Sequence, residues 1–333
     1  MRAWFLLIAC LGGGSGLSVL ASFSLITPKP NTLAECGINR ESRILVESGL
    51  PASKPEFPVQ PEMFIDRFKG SEGITFNARG ELFIGADEGI WLAQTDGSVR
   101  KITDLDAPLG LAGIGRRDIL AADFGPTNVF EHGPNADGIV WRITPEGRKT
   151  VVATGIADPN FILVLPNRTF LVSDDGTDKI YLVKGNSVSV WSSAVAYPNG
   201  LALSLDDRTL YVAQIFSSLK PIVGDDRVWA FSLVNGTPVG QPKVVARTGE
   251  GGLDGLAADE YGRVYVADNG AGKIRRFDPK TGEVVLIAEG MPGVASLAFG
   301  EGKFERQAIY ATSTRRGNIW RVPVGAKGAW LHR

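Results

Sequence analysis

Glu72, Asn160, Asn199 and Asp254 are the side chains of this sequence best suited to chemistry. Each stands just before an apolar alternating run, in Ser71-Glu72-Gly73, Asp158-Pro159-Asn160, Tyr197-Pro198-Asn199-Gly200 and Leu253-Asp254-Gly255. Two carboxylates and two neutral amides form an all-oxygen donor set, which suits a hard divalent cation. The two acids match the ion's charge, and the amides add coordination without overcharging it. Without a cation, two carboxylates crowded together repel, and one is expected to stay protonated. Taken singly, Asn-Gly and Asp-Gly are ordinary turn formers. Recurrence at one place in a repeating unit is what points to a metal.

The repeat has a period of about forty residues. It runs as a turn, an apolar strand, an Asp/Asn/Gly turn, a second strand ending in a small or acidic residue, a loop, a third strand and a fourth. Units open at Gly73, Gly110, Asn160, Gly200, Gly255 and Val294. No helical period of useful length separates them. Six such units predict an all-β, six-bladed β-propeller. The segment from Met63 to Phe68 is expected to close the ring as the outermost strand of the last blade, which the C-terminal end lacks. Successive strands of a blade are antiparallel, so the turns entering the innermost strands share one end of the molecule. The four donors, from blades one, three, four and five, are therefore expected to meet over the central channel. Two long second-to-third-strand loops, Phe124 to Asp137 and Gln214 to Asp226, rise from the same face as pocket walls.

Tyr197-Pro-Asn-Gly-Leu-Ala-Leu-Ser-Leu-Asp-Asp-Arg-Thr-Leu-Tyr-Val resembles the central motif of the gluconolactonase, senescence-marker-protein and luciferin-regenerating-enzyme family. Leu253-Asp-Gly-Leu-Ala-Ala-Asp-Glu-Tyr-Gly-Arg-Val-Tyr-Val-Ala is similar to its next-blade motif, and Val294-Ala-Ser-Leu-Ala-Phe-Gly to its last blade. The resemblance implies a metal held by Glu72, Asn160, Asn199 and Asp254. Ca²⁺ is the first candidate, with Mg²⁺, Mn²⁺ or Zn²⁺ as alternatives. It also implies hydrolysis of a lactone or related ester, with the metal as Lewis acid and Asp254 as general base. Phe161 follows Asn160 where family members often carry a polar residue, and Asp158 stands where a basic one is often found. Both are assigned to substrate binding, and both argue against a sugar-acid lactone and for a more apolar substrate.

Nucleophilic catalysis has little support. No Gly-x-Ser-x-Gly elbow occurs, and His132 and His332 are the two histidines. His132, in the long blade-two loop, is a candidate substrate contact; His332 is expected to be solvent-exposed. Asp123, Asp174 and Asp268 end second strands and read as turn formers. Two readings from other classes stay open: a non-catalytic ligand- or protein-binding propeller with a structural metal, and a strictosidine-synthase-like enzyme.

The chain has 333 residues and a net charge of -1. No basic stripe favours nucleic acid as a partner; a small-molecule substrate and a monomer are expected. Arg2, the uncharged run from Ala3 to Ile26 and Val19-Leu20-Ala21 read as a signal peptide over residues 1–21. A retained membrane anchor is the alternative. Either places the domain outside the cytoplasm, secreted, periplasmic or anchored. Residues 22–62 read as an irregular arm and 63–328 as the propeller. Of two cysteines, Cys10 lies in the leader, so Cys36 has no internal disulfide partner.

Overall fold

The computed structural model describes residues 55–127, 133 and 135–333. The leader, Cys36, most of the arm and His132 lie outside the described residues. Within them the chain forms 26 strands and no helix. Six four-stranded antiparallel sheets succeed one another along the sequence, each starting from its innermost strand. The innermost strands are Ser71–Phe76, Pro108–Ile114, Pro159–Val164, Pro198–Leu203, Leu253–Ala258 and Val294–Phe299. Each touches the next, and the sixth touches the first, so they close around an axis. This is a six-bladed β-propeller. The ring is sealed as expected: Glu62–Ile65 pairs antiparallel with Ile319–Pro323 as the outer strand of blade six.

The blades are held by apolar side chains meeting between sheets. Leu171 and Ile180 of blade three pack with Leu201, Val212 and Phe231 of blade four, all nearly inaccessible. Rings bridge the next two junctions edge to face: Tyr211 with Phe277, and Tyr265 with Phe299, each at 5.4 Å between centroids. Such pairs contribute about 0.5–1.5 kcal/mol beyond the area they bury. Ahead of the first blade, Phe57 and Val59 pack on blades five and six, and Val59 N–H donates to Ile287 O at 2.8 Å.

One local device recurs in all six blades. The pairing of the innermost strand with its neighbour slips between the first and fourth residues, for example between Pro159 and Ile162 and between Pro198 and Leu201. A bulge there frees the second residue from the regular alternation of the pleat. In four blades the third residue is glycine, and the backbone of the next blade occupies the space a side chain would need. A Cβ on Gly73 would lie 2.0 Å from Leu109 O, and one on Gly200 2.3 Å from Asp254 O. The missing side chains thus set how closely the inner strands approach.

The long blade-four loop is itself ordered as a small hairpin, Phe216–Leu219 with Ile222–Gly224. At the opposite end, residues 327–333 fold back over the ring: Gly328 bridges to Asp259, and Ala329 N–H donates to Ala258 O at 2.9 Å. His332, expected to be exposed, is half-buried, with Nε2 2.8 Å from Asp207 Oδ1. The correction has a tertiary cause, since blade four reaches the segment only because the ring closes.

Candidate metal centre

The second residue of each innermost strand, running round the ring, is Glu72, Leu109, Asn160, Asn199, Asp254 and Ala295. Four blades present an oxygen donor at the bulge and two present an apolar group. Asn160, Asn199 and Asp254 are all buried, and Glu72 is nearly so. Asn160 Nδ2 lies 3.5 Å from Glu72 Oε1, so donors from blades one and three meet directly. Asp254 and Glu72 are close enough that the charge of Asp254 is the largest influence on Glu72 after burial itself.

Asp175 joins the set, although the sequence pattern singles out only its neighbour Asp174, as a turn former. Its Oδ2 accepts from Asn160 Nδ2 at 3.0 Å and from Asn199 Nδ2 at 3.2 Å. Asn160 Nδ2 is shared between Asp175 and Glu72 and Asn199 Nδ2 is committed to Asp175, so each amide oxygen is turned away from Asp175. Asn199 Oδ1 is buried and has no hydrogen-bond donor among the described residues. An orphaned carbonyl oxygen of this kind normally costs about 1–3 kcal/mol unless something fills its place. Asn269 does for Asp254 what Asp175 does for the asparagines, donating Nδ2 to Asp254 Oδ2 at 3.1 Å. Asp175 and Asn269 both follow the last residue of a second strand, Asp174 and Asp268. That shared position is the signal that could have found them.

Burial and mutual repulsion dominate the electrostatics. Burial, then the charges of Asp254 and Asp175, hold the Glu72 carboxyl well above its ordinary range. Burial and then Asp175 push Asp254 up to about 7. Asp175 is raised by burial to about 6, with the hydrogen bond to Asp158 and then its amide donors pulling the other way. Asp158 is 1 % exposed, and neither of its oxygens has a donor among the described residues. Burial raises it well above normal, followed by Asp175. Two carboxyls facing each other in this way need a shared proton or a nearby cation. The charges that raise Glu72 and Asp158 are all carboxyls.

This donor set fits a hard divalent ion. Among the described residues no three His, Cys, Asp or Glu side chains converge in a metal-holding arrangement. The centre is instead a mixture of two acids and two amides backed by further carboxyls. Phe161 takes the strand position that is glycine in four other blades. Its N–H donates to Ser173 Oγ at 3.0 Å, and its side chain lines the channel beyond the donors. Asp123 serves its turn, accepting from Ala107 N–H at 2.8 Å and Trp141 Nε1 at 3.0 Å. Asp268 accepts from Ala271 N–H at 3.2 Å.

Fold and site together define a six-bladed propeller with a cluster of oxygen donors at one mouth of its channel. Residues 168–315 match the family model of the SMP-30/Gluconolactonase/LRE-like region. The resemblance carried by the Asn199 and Asp254 motifs therefore stands. Glu72 and Asn160 lie outside that stretch; they share the strand position of Asn199 and Asp254. No curated protein matches the chain significantly. Among solved structures, a calcium-binding protein, regucalcin, from Agrobacterium tumefaciens is similar at 18% identity and TM-score 0.67, covering 83% of this chain and 97% of its own. A gluconolactonase from Xanthomonas campestris follows at 17% and 0.64, covering 79% and 88%. A luciferin-regenerating enzyme gives 16% and 0.63, covering 82% and 100%. At these identities the likeness is one of fold.

Proposed function

We propose that this protein is a divalent-metal-dependent hydrolase of a lactone or related ester, with Ca²⁺ as the first candidate ion. One observation carries the reading. Asp175 clamps both asparagine nitrogens, leaving Asn199 Oδ1 buried without a donor in company with Glu72 and Asp254. Glu72, Asn160, Asn199 and Asp254 would hold the ion. Oxygen donors of mixed charge favour Ca²⁺, Mg²⁺ or Mn²⁺ over Zn²⁺. When bound, such an ion polarises a substrate carbonyl and stabilises the negative charge that develops on its oxygen.

The chain's own residues supply the remainder. Asp254, with Oδ2 held by Asn269, is oriented to accept a proton from an attacking water. Asp175 fixes the amide rotamers, so the donors are arranged before substrate arrives. The absence of a basic group at Asp158 favours an apolar ring substituent over a polyhydroxylated one. His132 is retained as a substrate contact. The leader places this chemistry outside the cytoplasm, with the protein secreted, periplasmic or anchored.

A hydrolase panel of lactones and aryl esters on the purified full chain, with calcium added or chelated, tests the reading. Turnover that requires the ion and is lost in Asp254→Ala and Asn199→Ala supports it. Undiminished hydrolysis after chelation overturns it.

A further inference from the structure

Beyond the donor cluster, toward the opposite mouth, the innermost strands enclose a cavity of about 530 Å³. Its walls begin at the fourth strand residue of five blades, such as Ile74, Leu201 and Leu256, and at the third, Phe161, on blade three, and include none of Glu72, Asn160, Asn199, Asp254 or Asp175. On some blades the wall is cut back to Ala112, Ala202, Ala257 and Ala298, while Phe161 and Leu163 project from blade three. Close-packed interiors tolerate few voids larger than a water molecule. A space of this size with largely apolar walls has the dimensions of a small-molecule site, which run from roughly 300 to 1,000 Å³.

Residues 327–333 cover the mouth of this space. Trp330 and Leu331 line it while remaining 85% and 47% exposed, so the cover is thin. At the mouth, Asp207 Oδ1 lies 2.8 Å from His332 Nε2, and Glu301 pairs with Arg333. Arg306 and Lys327 also line the cavity, and neither forms an ion pair among the described residues. Two cations without a carboxylate partner thus stand at an apolar opening.

We propose that this cavity is a second binding site, separate from the metal centre, for a small amphipathic anion: an unbranched apolar chain in the channel with its carboxylate at Arg306 and Lys327. The cover formed by residues 327–333 closes over the bound chain. The alanines of blades two, four, five and six supply the width the chain needs.

The test uses the full chain in calcium-free buffer with dodecanoate, kept below its micelle-forming concentration and followed by calorimetry. Saturable one-to-one binding is expected, with dodecylammonium binding more weakly. Ala257→Phe should weaken dodecanoate binding by at least about tenfold by filling the channel. Ala298→Leu narrows the channel from another blade and should also weaken it, so a folding failure in one variant does not decide the matter. Arg306→Gln and Lys327→Gln should each weaken binding about two- to fivefold at low salt. The absence of saturable binding to the wild-type chain overturns the proposal, as does unchanged affinity in a folded Ala257→Phe or Ala298→Leu protein. Equal affinity for dodecanoate and dodecylammonium overturns the assignment of an anion. Because metal is absent throughout, the result is independent of the hydrolase reading.

Discussion

Asp175 Oδ2 accepts a hydrogen bond from Asn199 Nδ2 at 3.2 Å, and that bond sets which end of the Asn199 amide is left for a ligand. The same oxygen holds Asn160 at 3.0 Å, so one carboxylate aligns donors from two blades. Asp175→Ala should therefore free the Asn199 amide to rotate and leave Asn160 held only by its longer contact with Glu72. Calcium affinity, measured by calorimetry, should fall about 10- to 100-fold, the usual cost of losing a group that orients metal ligands. Affinity unchanged from wild type would show that the asparagines are positioned by their strands alone.

Asp254 serves both as a predicted ligand and as the predicted base. Asp254→Asn keeps an oxygen donor but cannot accept the proton, so hydrolysis should fall by about 10²- to 10⁴-fold. Metal binding should weaken by less. Parallel measurement of kcat and of calcium content separates the two roles, and a variant retaining full kcat would remove Asp254 from the proton transfer.

Without metal, the centre makes the fold sensitive to pH in a defined direction. Asp254 rises from an unfolded value near 3.8 to about 7, and Asp175 to about 6, both chiefly through burial. Carboxyls raised in the folded state contribute stability that is present below their unfolded value and lost as pH rises through the folded one. The melting temperature of the chelated protein should thus decline between about pH 4 and pH 7. Calcium should oppose the decline most strongly at the upper end, where the carboxylates are ionised. A chelated protein whose melting temperature rises across that window would contradict the charge cluster.

Gly200 tests how the ring spaces its donors. A Cβ there would lie 2.3 Å from Asp254 O and 2.6 Å from Leu256 N, both backbone atoms with little room to yield. Gly200→Ala should cost about 1–3 kcal/mol in urea unfolding through overpacking. It should also weaken calcium binding, because it pushes blades four and five apart beneath Asn199 and Asp254. A stable variant with intact calcium affinity would mean that the inner strands are not held at fixed spacing.

Much of this arrangement was legible before any coordinates. The alternating runs, their turns and the six openings from Gly73 to Val294 specify the blades, because strand period and turn chemistry are local properties. The placement of Glu72, Asn160, Asn199 and Asp254 at one point of the repeat was readable for the same reason. A repeating unit carries equivalent residues to equivalent places. Even a closing strand within the Met63 to Phe68 segment follows from counting strands, and the structure places it at Glu62–Ile65.

Other features depended on contacts between residues distant in sequence, which no local pattern encodes. The pairing of Asp175 with Asn199, 24 positions away, exists because blades three and four are neighbours in the ring. The burial of Asp158, the fold-back that gives His332 its partner Asp207 and the cavity beneath the donors all arise when the ring closes. Local sequence pattern thus specifies the blades and the chemical types at their mouths. Tertiary structure alone decided which atoms of those groups point inward and what lies beneath them, because amide orientation and channel width are set by packing between blades.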